Sequence, residues 1–458
     1  MTDLRLQSAA GAVAADVVAL RDVAWRDPIA VAAAYAEEPY TGVLASGGEG
    51  WSYVFRAPDA VLTLNGPDVS LADAEGLLDL AGCPDPAGPP FQGGVIGLAS
   101  YELSARLERT VPQGRGGWPD LVLMRFTALL AFHSGARRAL AIGRGADQDT
   151  AAARANEAAS WTEVPPRRSA CGPLASSLSL ATSDETHADA VVQTLGRIAA
   201  GEIFQANLAR PWTGRLVPGA TPFDLFRRLS AQSPAPYAAY LRLPGRAVVS
   251  NSPERFLSVR PDAGGLRVWT DPIKGTRPRH ADPIRDQALV ADLLASPKDH
   301  AENLMIVDLM RNDLARVSVP GSVRVPQLAA LKSYANVHHL VSRVEARLAP
   351  GKTAWDAFLA AFPPGSVTGA PKLQAMQVIA RHEPPRGPYC GSLFWLGVDG
   401  ALDASVLIRT VACLEDADGW SFEARAGGGI VADSEPADEV AETHAKISAI
   451  LRALTSAA

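Results

Sequence analysis

Cysteine is scarce in this chain: Cys83, Cys171, Cys390 and Cys413 are the four in 458 residues. None forms a C-x-x-C pair, and their spacing offers neither a disulfide framework nor a zinc site. A reducing cytoplasm is the expected compartment. Basic charge is not in excess either. Lys plus Arg number 43 against 49 Asp plus Glu, a formal net charge of −6. A phosphate-binding protein needs a basic face, so no nucleic-acid partner is expected. No run of about 18 apolar residues occurs, so no membrane span is expected. The start, Met1-Thr2-Asp3-Leu4-Arg5, lacks the basic-then-apolar order of a secretion signal. No internal repeat is visible.

What remains is the composition of an ordinary globular enzyme, with 47% hydrophobic and 20% charged residues. At roughly 100–200 residues per domain, the length suggests two to four domains, or one large core with an appendage. Residues 1–143 read as mixed α/β, with a helix over 75–80 and strands over 95–98 and 121–124. Residues 144–182 are rich in Ala, Ser, Arg and Pro and read as a helical or irregular connector. Residues 183–458 hold nearly all the chemistry. A helix begins near Asp184: Thr182 and Glu185 have capping-box spacing, and Ala188, Val191, Leu195 and Ile198 share a face. Gly201 ends it.

Two acidic pairs stand out. Asp299 and Glu302 are three apart, as are Glu439 and Glu442, so each pair shares one helix face. Lys446 lies four beyond Glu442 on that face. Each pair alone reads as a solvated helix surface. Together they read as one Mg²⁺ site between two helices, because Mg²⁺ prefers oxygen donors and keeps open positions for water or substrate.

Several loops could present backbone or charge. Gly427-Gly428-Gly429 follows a plausible strand over 421–426 and would let N–H groups approach an anion, although a turn is the commoner reason for such a run. Gly365-Ser366-Val367-Thr368-Gly369-Ala370-Pro371-Lys372 superficially matches a phosphate-binding loop. The match fails, because Pro371 removes a donor and Leu373 stands where a Ser or Thr would hold magnesium. Pro272-Ile273-Lys274-Gly275-Thr276 sets a lysine between turn-forming residues. Such a lysine is usually solvated, but near other cations or a metal it becomes a nucleophile. Glu254, just after the β-like run 247–249, is either a surface turn residue or a buried acid.

In order, the segments 201–208, Ser252-Pro253-Glu254-Arg255-Phe256, 272–279, 301–314, 337–342, Gly369-Ala370-Pro371-Lys372, Ile408-Arg409-Thr410 and 427–434 form a set. It resembles the family of the large subunits of aminodeoxychorismate synthase and anthranilate synthase, with isochorismate and salicylate synthases as cousins. The resemblance covers about residues 180–450 and is weaker in the first half, chiefly at Phe91-Gln92-Gly93-Gly94-Val95-Ile96-Gly97. It implies an α+β fold of two facing β-sheets with helices outside and the active site in the cleft. It also implies roles. Asp299, Glu302, Glu439 and Glu442 match the magnesium positions, with Asp299 shorter than the family's usual Glu. His339 matches the histidine near the leaving hydroxyl. Tyr389, Arg409, Lys446 and the backbone of Gly427, Gly428 and Gly429 match positions that grip the carboxylates of chorismate. Gln205, Thr276 and Ser366 fall on the substrate side.

Two positions discriminate within the family. The isochorismate and salicylate branch carries a water-activating lysine where this chain has Gln205, so ammonia is favoured over water as nucleophile. Anthranilate synthases typically carry alanine in the Pro-Ile-x-Gly-Thr loop, where this chain has Lys274, the mark of the aminodeoxychorismate branch. The resemblance therefore implies Mg²⁺-dependent amination of chorismate to 4-amino-4-deoxychorismate, a transferase step toward p-aminobenzoate and folate. In it Lys274 is the nucleophile and Glu254 the general acid. The alternative within the family is an anthranilate synthase large subunit; outside it, a degenerate binding protein. Thr41-Gly42-Val43-Leu44-Ala45-Ser46 replaces the Leu-Leu-Glu-Ser feedback motif of anthranilate synthases. No cysteine has the Gly-x-Cys-x-Gly context of a glutaminase; Cys390 sits in Pro388-Tyr389-Cys390-Gly391-Ser392. The last helical pattern, near 449–453, leaves no room for a fused glutaminase. A separate glutaminase subunit is expected to supply the ammonia.

Overall fold

The computed structural model describes residues 17–48, 50–65, 71–80, 82–108, 116–167, 169–334 and 337–456. The first residues, read above for a secretion signal, lie outside that set. Among the described residues no helix is long and apolar enough to cross a membrane. The fold is α+β, with one sheet of 12 strands and a second of 10. Both sheets draw strands from residues 17–145 and from the chain beyond 205.

The strand Gly94–Ala99 shows why the sheets face one another. All six residues are buried. Side chains alternate across a strand, and here both faces are apolar. Ile96 and Leu98 enter a cluster with Phe55, Leu129, Leu140 and Ile142, which belong to the other sheet. Val95 and Ala99 enter a cluster with Trp355 and Phe358 of the helix Ala354–Ala361. One face therefore packs sheet on sheet, and the other is covered by helix. The 12-stranded sheet is covered on its outer side by Phe223, Phe226 and Leu229 of Pro222–Gln232 and by Ile447, Ile450 and Leu454 of Pro436–Thr455.

Local expectations met the structure unevenly. The helix over 75–80 is Ala72–Leu78, and the strands are Gly94–Ala99 and Leu121–Phe126. The helix Asp184–Ala199 ends before Gly201, whose φ of +74° needs no side chain. Its cap is not Thr182. The Ser183 hydroxyl accepts from the Thr186 backbone N–H, one residue later than the capping-box spacing suggested. Within 144–182 lie the helix Gln148–Ser160 and the strand Ala175–Leu180, which pairs with Gln205–Leu216.

A buried ionic knot joins the two halves of the chain. The Arg386 guanidinium donates to both oxygens of Glu383 and to the carbonyls of Val367 and Asn207. It lies 4.7 Å from the centre of the Tyr101 ring. The Glu102 carboxylate accepts from the backbone N–H groups of Arg386 and Gly387 at 2.7 and 3.0 Å. The knot holds the turn that leads into Tyr389. Arg386→Leu leaves Glu383, almost fully buried, with one cation fewer. The expected cost is about 3–5 kcal/mol, measured as lost stability in urea unfolding.

Candidate active site

Both acidic pairs sit near helix N-termini. The helix Pro297–Ala315 starts with proline in its first turn, and the Ser296 hydroxyl caps it by accepting from the Asp299 N–H. Asp299 lies in the first turn and Glu302 one turn later. The helix Pro436–Thr455 likewise opens on proline, with Glu439 in its first turn. The positive ends of both helix dipoles thus offset part of the repulsion between like charges.

The two helix starts meet one cavity of about 660 Å³. Both sheets contribute to its walls. From the 10-stranded sheet come Lys274, Gly275, Thr276 and Arg277 of the strand Ile273–Pro278, and His339 of its neighbour Val337–Arg347. The register shifts between Lys274 and Thr276. Gly275 has φ +82°, and a Cβ there would lie 3.0 Å from Leu293 and 3.1 Å from Asp299. That bulge re-aims the strand so that five consecutive residues, Ile273 to Arg277, reach the cavity. From the 12-stranded sheet come Gly427 and Gly429 of Gly419–Ile430.

Within the cavity, acids and bases are interleaved. The Asp299 carboxylate accepts from Arg277 at 3.2 Å. The Lys274 ammonium lies 4.0 Å from Glu302, with both side chains mostly buried. Lys446 pairs with Glu442 and donates to the Gly427 carbonyl at 2.8 Å. Glu439 accepts from the Ser434 hydroxyl at 2.7 Å, while its second oxygen, Oε2, is buried without a hydrogen-bond partner. Burial raises the Glu302 and Glu439 carboxyls above the usual carboxylate range. Among the described residues, no three ligating side chains converge closely enough to hold an ion as they stand. The all-oxygen donors and the orphaned Glu439 oxygen nonetheless suit a hard cation.

Glu254 and His339 face the same space. Burial raises the Glu254 carboxyl; its Oε1 accepts from the Ser366 hydroxyl at 2.6 Å, and Lys274 and Lys446 oppose the shift. A buried carboxyl of this kind holds a proton to higher pH and can deliver it to a leaving group. Burial pushes His339 down to about 4, so its imidazole is neutral near pH 7. Its Nδ1 is 2.8 Å from the Thr276 hydroxyl. Arg409 has left-handed backbone, φ +50°, and its guanidinium has no hydrogen-bond or ion-pair partner among the described residues. Strain of this sort is tolerated where a side chain must be aimed. A mostly buried cation without a counter-ion is suited to an anionic ligand. Tyr389 is buried at the same wall.

Of the residues singled out from sequence, Lys274, Glu254, His339, Thr276, Ser366, Tyr389, Arg409, Gly427, Gly429, Lys446, Asp299, Glu302, Glu439 and Glu442 line the cavity. Gln205 and Gly428 do not. The Gln205 side chain is fully buried behind the glycine strand, with both polar atoms unpartnered and Nε2 against Gly429. Gly428 backs onto the acids: a Cβ there would lie 2.5 Å from Glu439 Oε2. Five further polar residues line the cavity: Asn207, Arg277, Ser296, Lys298 and Arg425. Asn207 and Arg277 lie inside the segments 201–208 and 272–279 noted above, while Ser296, Lys298 and Arg425 stand within three residues of the acidic pair at 299 or the glycines at 427, and adjacency was the signal available for them.

The chorismate binding enzyme family matches residues 40–452. The chain belongs to that family. It is 39% identical over 377 residues to aminodeoxychorismate synthase component 1 of Klebsiella aerogenes, covering 80% of this chain and 78% of that protein. It is 38% identical over 427 residues to anthranilate synthase component 1 of Thermus thermophilus, covering 90% and 88%. The structure of anthranilate synthase component I from Streptococcus pneumoniae TIGR4 superposes with a TM-score of 0.76 at 26% identity, covering 88% of this chain and 92% of that one. This chorismate-binding enzyme is thus similar in sequence to proteins of both names, and overall identity does not separate them.

Proposed function

We propose that the chain is the aminating subunit that converts chorismate to 4-amino-4-deoxychorismate, with ammonia from a separate glutaminase subunit. One observation carries this reading: a lysine amine, Lys274, stands inside the cleft beside the acidic pairs and close enough to Glu254 to influence its charge. An alanine there would leave no nucleophile. Arg409, Lys446, Tyr389 and the backbone of the 427–429 strand grip the two substrate carboxylates. Asp299, Glu302, Glu439 and Glu442 would hold magnesium, and the bound ion would supply positive charge that steadies a substrate carboxylate.

The uncharged Lys274 amine bonds to ring C2, the two conjugated ring double bonds each shift by one position, and the C4 hydroxyl departs. Glu254 gives that hydroxyl its proton, so water leaves. Ammonia then bonds to C4, both double bonds shift back, and Lys274 is expelled as an amine. The surplus proton from ammonia returns Glu254 to its acid form. Neutral His339, held by Thr276, lies beside the departing hydroxyl without adding charge. With the glutaminase absent, the chain is expected to run on free ammonium, the uncharged fraction of which grows with pH.

The test is the product formed from chorismate, ammonium and magnesium, separated by chromatography. 4-Amino-4-deoxychorismate is expected; anthranilate as the main product rejects the reading. Anthranilate formation is the second reading, favoured by the near-equal identity to relatives of both names. Chelation of divalent ions with EDTA is expected to abolish turnover, and added magnesium to restore it.

A further inference from the structure

The acids of the cleft are already engaged by the protein's own cations. Lys446 pairs with Glu442, Lys274 approaches Glu302 at 4.0 Å, and Arg277 donates to Asp299 at 3.2 Å. Glu439 has no ion pair among the described residues, and its Oε2 is buried without a hydrogen-bond partner on a residue only 4% exposed. A carboxylate oxygen lone pair cannot serve an ammonium and a metal ion at once, and a divalent ion beside a lysine ammonium is repelled.

We propose that Lys274 and Lys446 stand in for a divalent ion on the acidic pairs, so that ion binding and release of the two amines are one coupled step. This rests on the magnesium reading above and deepens it. Glu439 is the first to take the ion, because no cation of the described residues is paired with it. Glu442 follows, because its pair with Lys446 is nearly half exposed on both sides and such pairs are weak. Glu302 is last, and its transfer to the ion frees the Lys274 amine for the substrate. The coupling is reciprocal: whatever weakens the lysines' hold on the acids strengthens ion binding by the same factor. A lysine that merely propped the acids in place would do the opposite.

Calorimetric titration of the full chain with Mg²⁺, without substrate, tests this without relying on activity. Lys446→Met and Lys274→Met are each expected to tighten Mg²⁺ binding about tenfold. Lys352→Met, at a surface pair with Asp356, is the unchanged control. Unchanged or weaker binding in both cleft variants overturns the proposal. No Mg²⁺ binding by the wild type overturns the magnesium reading itself, which separates the two failures. A measurement on the wild type guards against misfolded variants. Acetylation by acetic anhydride, mapped by mass spectrometry, is expected to rise several-fold at Lys274 and Lys446, relative to Lys352, when Mg²⁺ is added. No change, or protection, contradicts the exchange.

Discussion

Lys274→Ala is expected to lower formation of 4-amino-4-deoxychorismate by about a thousandfold or more, the scale on which loss of a nucleophile acts. The side chain is mostly buried in the cleft, and among the described residues its one ion pair is the 4.0 Å approach to Glu302. The fold should therefore survive, which circular dichroism would verify. Charge and bonding can be separated by Lys274→Arg. A guanidinium keeps the positive charge beside Glu302 but does not act as an amine nucleophile. If Lys274 only balanced charge, the arginine variant would recover much of the activity. The covalent account predicts that both variants fail alike in a chromatographic assay with chorismate, ammonium and magnesium.

Glu254→Gln is expected to cost about 10²–10⁴-fold in kcat/KM, the usual contribution of a positioned proton donor. The amide keeps the shape but has no proton to give. The sign of the pH dependence follows from the environment. Burial raises the Glu254 carboxyl, so the acid form persists to higher pH than for a free glutamate, and activity falls as pH rises through that point. The glutamine variant should lose this alkaline limb. Ser366→Ala removes a hydrogen bond that favours the charged form, so its limb should move to higher pH. A pH–rate profile of the three proteins decides; a limb unmoved in both variants assigns it to another group.

The sequence carried the site further than the scaffold. Spacings of three placed Asp299 with Glu302 and Glu439 with Glu442, and the helices obey that period because each begins at a proline in its first turn. What was not legible was how distant segments meet. Gly275 looked like a turn glycine, yet it makes a bulge inside a strand, and that bulge turns Arg277 into the cleft beside Lys274. Gln205 looked like a substrate contact by position in its motif. Its strand pairing with Ala370 sends the side chain behind the glycines instead. The lysine–carboxylate pairing was half visible: Lys446 shares a helix face with Glu442, but the approach of Lys274 to Glu302 crosses from strand to helix, and no local pattern encodes it. Arg386 and Glu102, 284 residues apart, were silent for the same reason.

The proposed chemistry turns on a bond between the amine of residue 274 and the substrate ring. Its most direct measurement is peptide mass mapping of the enzyme after rapid acid quench with chorismate and magnesium and no ammonia. The account predicts an added mass of chorismate less one water on the peptide carrying Lys274, lost when ammonium is supplied. An unmodified Lys274 peptide, in an enzyme that still aminates chorismate at full rate once ammonium is added, would contradict it.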